Sequence, residues 1–568
     1  MSDVPAPLTL HRTIVPGDVV RTGARGAYRR LAHDVGEAHA VRDDLLPDAA
    51  DRWRRASPRP LLCLAHVTDL QLADVQSPAR FEFFNREFAD PRFSLLVPTQ
   101  RPNEAFTAHA VDATIRTLNR VSRAPLTGAP LDLAVTTGDS IDNGQWNELL
   151  AVLALLEGGR VALSGHGPRY EGVQRIDWPD QVFWRPDGDG AGGPDLFREG
   201  FGYPHLPGVL DRATAAFTSG GLALPWLACY GNHEALIQGV GRMTPELAEA
   251  LVGGRKPLEL PEDLDRDTAY ETFVEGAHAF LAGPQREITA DPLRRPVGRQ
   301  EFVEAHFRAS ARPHGHGFGA RNRRDGTAYY SHDVPGADGR GVRFIALDTT
   351  CLLGGADGAL DAEQLLWLQT ELQEVHSTYR APDGQAVQTG NDDRLVVLFS
   401  HHGLDTLTNR RGSGLLGALG PDGAVVPVVP AAEVEALVHR FGNVVLWING
   451  HTHTNGVRAR LSPHRGLDGG RRGFWEVTTC AVVDWPCQSR IIELVHDGQG
   501  TLAAVCTMVD HDSPLDPGPA LSRPELAALH RELAANMPMP GYGARLAGTP
   551  RDRNVILPLA APFGGSGR

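Results

Sequence analysis

The chain has 568 residues, 42% hydrophobic and 22% charged, with 55 basic and 69 acidic residues giving a formal charge of −14. That length allows a large core, as several domains or as one domain with insertions, and the composition is that of a globular protein and not of a disordered or collagenous one. The acidic balance argues against a surface that coats nucleic acid, because a phosphate backbone needs a positive field. All basic residues but Lys256 are arginine, which reads as coding bias. Six cysteines (Cys63, Cys229, Cys351, Cys480, Cys487, Cys506) show no CxxC spacing, so buried free thiols are expected, with a Cys480–Cys487 disulfide as the alternative. Met1 to Val20 is polar and lacks an apolar signal region, and no apolar run is long enough to span a bilayer. A reduced, cytoplasmic protein without a membrane partner is the expectation.

Residues 1–60 are Arg- and Asp-rich with weak periodicity and read as an N-terminal extension over a core. A buried strand, Leu61 to Val67, then ends in Thr68-Asp69-Leu70-Gln71. Helical spacing of Ala108, Val111, Ile115 and Leu118 follows, and a second strand, Leu131 to Thr137, ends in Gly138-Asp139. Strand, helix, strand with right-handed crossover would set Asp69 and Asp139 side by side at one rim of a sheet, where open α/β folds place their ligands. Residues 157–221, with Trp178, Trp184, Phe201 and Tyr203 among glycines and prolines, read as an insertion whose aromatics make its own small core. A third strand, Leu224 to Tyr230, delivers Gly231-Asn232-His233-Glu234. Within a second insertion, about 236–340, Glu262 to Arg324 is mostly helical and polar; Arg321, Arg323 and Arg324 form a run that reads first as solvated surface, with Arg321 and Arg323 as candidate contacts to a substrate phosphate. Strands at Val342 to Leu347 and Leu395 to Ser400 follow, the latter ending in His401-His402, with helices at Asp361 to Gln373 and Ala431 to Phe441. The run Val444 to Ile448 breaks into Gly450-His451-Thr452-His453. Residues i and i+2 of a strand share a face, so a turn there can aim both imidazoles into one pocket. Alternating patterns at Phe474 to Thr479, Arg490 to Val495 and Leu502 to Val509 suggest a second, largely antiparallel sheet, closing the core domain at about residue 512. Residues 513–568 read as one short helix and a Pro/Gly-rich tail.

The ordered set is Asp69, Asp139, Asn232-His233, His401 and His451/His453, each just after a separate apolar strand. A lone Asp or His at a loop start is usually a satisfied polar residue. Five such events on strand C-termini offer more oxygen and imidazole ligands than one tetrahedral ion needs, and suggest two divalent ions sharing a carboxylate.

With these blocks (Thr68-Asp69-Leu70-Gln71, Gly138-Asp139, Gly231-Asn232-His233-Glu234, Ser400-His401 and Gly450-His451-Thr452-His453) the chain resembles the calcineurin-like metallophosphoesterase superfamily, in the family's order over residues 61–453. The resemblance implies an α/β fold, a four-layer αββα sandwich of two mixed sheets flanked by helices, here with large insertions. It implies that Asp139 bridges two metals, that Asp69 and His453 hold the first and that Asn232, His401 and His451 hold the second. His233 would stabilise the phosphoryl oxygens or protonate the leaving group, with His402 a competitor of His401 and a candidate substrate contact. Gln71 departs from the family, which has His at that place. An amide oxygen is a weaker ligand for borderline ions, so Mn²⁺ or Mg²⁺ is favoured over Zn²⁺ or Fe. A similar Asp-x-Gln occurs in the branch that resembles manganese-dependent ADP-ribose/CDP-alcohol diphosphatases. Asp74 is a candidate to compensate, and His66, inside its strand, reads as core.

The implied function is a dinuclear-metal-dependent phosphoester hydrolase that uses a metal-bridging hydroxide on a small phosphorylated or nucleotide-like substrate, with a phosphodiester or diphosphate favoured over a monoester. No Gly-x-Ser-x-Gly elbow or phosphate-binding Gly-Lys-Ser/Thr loop competes with it. A nuclease is disfavoured by the acidic charge. A silent scaffold with Gln71 as its first loss is the rival from another class, and intact His233 argues against it.

Overall fold

Apolar runs joined by helices and long loops build two mixed β-sheets. The computed structural model describes residues 7–562 apart from 48, 54, 164–168, 191, 338, 340, 412–417, 420–424 and 467–469. The first residues of the N-terminal extension and the last of the tail thus lie outside the described residues. In chain order the elements used below are β1 (Arg12–Thr22), β2 (Ala27–Val35), β3 (Ala40–Val41), β4 (Arg59–Val67), α1 (Thr107–Val121), β5 (Leu133–Thr136), α2 (Trp146–Glu157) and β6 (Trp226–Leu227). The second half gives β7 (Tyr330–Val334), β8 (Val342–Leu347), α3 (Ala362–Glu374), β9 (Leu395–Ser400), α4 (Ala431–Val438), β10 (Val444–Asn449), β11 (Gly456–Leu461) and β12 (Gly473–Thr478). The chain closes with β13 (Gln488–His496), β14 (Thr501–Asp510), α5 (Arg523–Ala535) and β15 (Val555–Ala560).

The first sheet has the order β3-β15-β14-β13-β4-β5-β6 and the second β7-β8-β9-β10-β12-β11. Within the first, β4, β5 and β6 run parallel; within the second, β8, β9, β10 and β12 do. Each parallel block therefore brings its strand C-termini to one rim. The period of two in a strand then divides the side chains. In β9, Leu395, Val397 and Phe399 join a core shared with Leu62, Leu64, Val135 and Ile491 of the first sheet, while Val396 and Leu398 meet Leu368 and Leu372 of α3 and Val434 and Val438 of α4. Helix α1 sends Ala108, Val111, Ile115 and Leu118 into the shared core, the spacing of one helical face. Each fully buried aliphatic side chain contributes about 1.5–3 kcal/mol.

Three sequence expectations change. The late strands do not form a sheet of their own: β12 lies parallel to β10 in the second sheet, and β13 and β14 extend β4 antiparallel in the first. Their apolar patterns mark burial on both faces and carry no partner information. The Pro/Gly-rich tail holds β15, which pairs with β14 and, on its other side, with β3 of the N-terminal segment, so the chain ends meet in the first sheet. The aromatics of the first insertion are not a core to themselves: Trp184 and Tyr203 pack with Leu526, Leu529 and Leu533 of α5 and with Tyr28 of β2. All six cysteines are free and buried. Among the described residues no helix is long and apolar enough to cross a membrane.

Candidate metal centre

Parallel pairing carries the motifs together. The β4–β5 register ends at Val67 opposite Thr136, and the ladder continues beyond it: Asp69 N donates to Gly138 O at 3.2 Å and Gln71 N to Asp139 O at 2.8 Å. In the second sheet β9 and β10 end level, and Gly450 N donates to His401 O at 3.1 Å. The backbone there is left-handed. Of the ten non-glycine residues with positive φ among the described residues, five are Asp69 (50°), Gln71 (40°), Asp139 (52°), His451 (68°) and His453 (56°). Non-glycine residues in that region cost on the order of 1–3 kcal/mol each and persist only where the surroundings impose them. His451 and His453 thus meet the cluster through a left-handed turn and not through the extended i, i+2 geometry.

The polar contacts then fix each side chain. Asp69 Oδ2 accepts from Thr68 Oγ1 (2.7 Å) and from the His451 backbone N–H (3.1 Å), which leaves Oδ1 facing His453 Nε2 at 3.3 Å and His401 Nε2 at 4.0 Å. Asp139 Oδ1 accepts from the His233 backbone N–H (2.9 Å), and Oδ2 lies 3.0 Å from His401 Nε2. The second ring nitrogens are tied back: His401 Nδ1 to Thr137 O (2.8 Å), His453 Nδ1 to Asp484 Oδ2 (2.6 Å) and His233 Nδ1 to Asp142 O (2.7 Å). Each tether assigns the Nδ1 proton and leaves Nε2 turned toward the cluster. Gln71 Nε2 sits 3.2 Å from both His233 Nε2 and His453 Nε2. Asn232 Nδ2 donates to Gly239 O at 2.9 Å. Two buried acceptors here, Gln71 Oε1 and Asn232 Oδ1, have no hydrogen-bond partner, and Asp69 Oδ1 and His401 Nε2 have none beyond the ion pairs just given. Asp69, Asp139 and His401 each offer a ligand atom within 4.8 Å of the other two, a group that could hold a metal ion.

Electrostatics agree with that chemistry. Asp69 and Asp139 are buried, and their ion-pair partners are imidazoles. Burial opposes the charge on Asp139, but His401 and His233 hold its carboxyl well below the usual range. Burial works against protonation of His401 and His453, yet the carboxylates outweigh it: Asp139 and Asp69 raise His401 to about 9, and Asp69 and Asp484 raise His453 to about 10. Burial lowers His451. Without metal the carboxylates therefore hold protons on the two imidazoles, and a divalent cation meets the same demand.

No protein-family model matches the chain, and no curated protein does. Among solved structures the chain is similar to a dimetal phosphatase from Danio rerio, at 12% identity and a TM-score of 0.27, over 80% of this chain and 100% of that one.

The structure brings Asp69, Gln71, Asp139, Asn232, His233, His401, His451 and His453 together. Other candidates stand apart from that set. His402 is buried against the ring of His451 and forms with it and His401 another group able to hold a metal, but its Nδ1 bonds Thr349 Oγ1 (2.9 Å) and its Nε2 bonds Ala356 O (2.9 Å). Both of its ring nitrogens are thus engaged by Thr349 and Ala356. Arg321 lies over the Tyr329 and Trp367 rings beside Asp325, and Arg323 forms a bidentate pair with Glu304, so their charges are met locally and neither contacts the cluster. Asp74 pairs with Arg294 at 2.7 Å and Asn147 at 2.8 Å, which rules it out as a substitute for Gln71. His66, lodged between Thr137 and Thr479, is pushed by burial down to about 3 and stays neutral.

Two supporting residues escaped sequence reasoning. Glu234 accepts from the backbone N–H groups of Gly231 (2.7 Å), Asp139 (2.8 Å) and Ser140 (2.6 Å), locking the Asn232-His233 turn to the Asp139 loop. Asp484 orients His453 and is itself paired with Arg101 at 3.0 Å. Glu234 stood inside a recognised motif; Asp484 had no signal beyond its place in a late turn.

Proposed function

We propose that the cluster holds two divalent cations and that the protein is a metal-dependent phosphoester hydrolase of the calcineurin-like metallophosphoesterase type, its two mixed sheets forming the inner layers of an αββα sandwich. One observation carries the reading: at the ends of three strands Gln71 Oε1 and Asn232 Oδ1 are buried without any hydrogen-bond partner, and Asp69 Oδ1 and His401 Nε2 have none beyond ion pairs in which two buried carboxylates are met by imidazoles alone. Buried polar atoms are otherwise nearly always satisfied. Asp69, Gln71 and His453 would hold one ion, Asn232, His401 and His451 the other, with Asp139 between them. The mixed oxygen and imidazole set, with an amide at position 71, suits Mn²⁺ or Mg²⁺ better than Zn²⁺ or Fe. Such ions supply Lewis acidity toward a phosphoryl group and acidify a water enough to attack near neutral pH.

The chain's own residues do the rest. His233 keeps its Nδ1 proton on the Asp142 carbonyl and turns Nε2 to within 3.8 Å of Asp139 Oδ2. It is less buried than Asp69 and His401, as are His451 and His453, so these three imidazoles form the open side from which substrate approaches. From there His233, when it carries a second proton on Nε2, would pass that proton to the departing oxygen and keep the one on Nδ1. The substrate is a small phosphorylated molecule, a phosphodiester or diphosphate before a monoester, and the protein works in the cytoplasm.

The test is hydrolysis of bis-p-nitrophenyl phosphate, p-nitrophenyl phosphate and ADP-ribose by purified protein with Mn²⁺, Mg²⁺, Zn²⁺ or chelator, beside His233→Ala. Turnover is expected to need metal and to fall about 10²–10⁴-fold in the variant while elemental analysis still counts two ions. Protein that takes up no metal at saturation would sink the dinuclear reading.

A further inference from the structure

The parallel strands β9 and β10 put their C-termini at the metal centre, and their N-termini open onto a different cavity, roughly 20 Å away along strands of six residues. It has a volume of about 550 Å³ and is lined by Arg380, Arg440, Arg465, Arg472, His439 and His464. In a chain of charge −14, the one carboxylate among the described lining residues is Asp393, and the charge left over comes from Arg380 and Arg440. That carboxylate is already used: Oδ1 accepts from Ser377 N (2.9 Å) and Asn443 Nδ2 (2.9 Å), and Oδ2 from Ser377 Oγ (2.6 Å).

Two of the guanidinium groups show what the cavity lacks. Arg380 donates to the carbonyls of Gly384 (2.8 Å) and Arg465 (2.7 Å). Arg440 donates to Arg380 O (2.8 Å) and Gln369 Oε1 (3.2 Å) and lies over the Phe441 ring. Neutral acceptors and a ring fix both forks in place without cancelling their charge, so N–H groups and positive potential are left for an anion. Burial lowers the Arg440 pKa, which fits a cation with no carboxylate beside it. Elsewhere Arg42, Arg86, Arg323 and Arg343 are matched to acids. A rigid guanidinium fork fits phosphate oxygens in pairs, and a volume of this size holds a molecule and not a lone ion.

We propose that this cavity is a second binding site, distinct from the metal centre, for a small molecule carrying two or more phosphate groups. The site stands independently of the proposed hydrolase activity. The experiment is a calorimetric titration of inorganic pyrophosphate into the full-length protein at low salt, after metal has been chelated and the chelator removed. Chelation removes the cations that would themselves bind pyrophosphate, and binding lost in the cavity variants reports the cavity. The wild type should bind one equivalent, more weakly as salt is added. Arg380→Gln/Arg440→Gln should weaken binding about tenfold or more, and Arg321→Gln, an exposed arginine elsewhere, should leave it unchanged. Arg440→Lys keeps the charge and loses the fork; a loss of a few-fold is expected, and this variant carries the test if the double one fails to fold. Absence of binding to wild type, wild-type affinity in the double or lysine variant, or an equal loss in Arg321→Gln would each overturn the site.

Discussion

His453 shows how much one side chain depends on its neighbours. Its Nδ1 bonds Asp484 at 2.6 Å, and Arg101 holds Asp484 in turn, so the ring cannot swing or exchange tautomers without breaking a buried ion pair. Asp484→Asn should therefore reduce metal affinity about 10–100-fold with the fold intact, which a competitive metal titration measures. Protons compete for the same nitrogens. In the metal-free protein His401 is raised to about 9 and His453 to about 10, against about 6.5 for a free imidazole. A raised histidine stabilises the fold fully below the unfolded value and loses that contribution as pH rises through the folded one. The chelated protein should accordingly lose stability between about pH 6.5 and 10, while the loaded protein, whose imidazoles hold no such protons, should not. The gap in Tm between the two forms must then widen with pH; a constant gap would detach these imidazoles from the metal. Loading at pH 7 should also release protons, visible with an indicator in weak buffer.

At the scale of an element the site is a set of turns at strand ends, and the turns are braced by acceptors and by missing side chains. Glu234 takes three backbone N–H groups from two loops. Glu234→Ala leaves those donors buried and unpaired at about 1–3 kcal/mol each, so a destabilisation of about 3 kcal/mol or more is expected by denaturant unfolding, together with loss of metal. Gly450 works by what it lacks: a Cβ there would run into the side chains of Thr68 and Asp69. Gly450→Ala should displace Asp69 and lose metal at little cost to the two-sheet core, a split that elemental analysis beside thermal unfolding resolves. The positions of these turns were legible in the sequence because each follows an apolar run that stops at a polar residue, a pattern local to a few positions. Their conformation was not. Asp, Gln and His carry no sequence mark for left-handed backbone as glycine does, and at Asp69, Gln71 and Asp139 that geometry is imposed by pairing between strands far apart in the chain. Sheet membership was illegible for the same reason: β12 and β13 read alike and join different sheets.

Across the whole molecule, the loops that sequence patterns left formless are joined to the site by buried charge. The segment before α1 packs Phe81, Phe84 and Phe93 against Phe273 and Phe280 of the second insertion, and a chain of ion pairs runs beneath. Lys256 meets Glu82 at 2.7 Å; Arg80 meets Glu104 and Asp142, both at 3.0 Å; Arg101 joins Glu104 at 3.1 Å to Asp484. The chain thus links the insertion to Asp142, which holds His233, and to Asp484, which holds His453. The single lysine of an arginine-rich chain is fully buried and donates also to Ser77 O at 2.5 Å. A slender ammonium suits a slot lined by one carboxylate and two carbonyls, of Ser77 and Arg80, where a planar guanidinium needs more room. Lys256→Met keeps the stem and strands Glu82, and removing one partner of a buried pair costs about 3–5 kcal/mol. Lys256→Met/Glu82→Leu removes both charges and should recover most of that loss, because a buried pair is often matched by apolar residues of similar volume. Denaturant unfolding of the two single variants and the double gives the cycle, and a strongly positive coupling is expected. Additive losses would mean that Lys256 acts through its carbonyl contacts and not through Glu82, and the chain of charge would then start at Arg80.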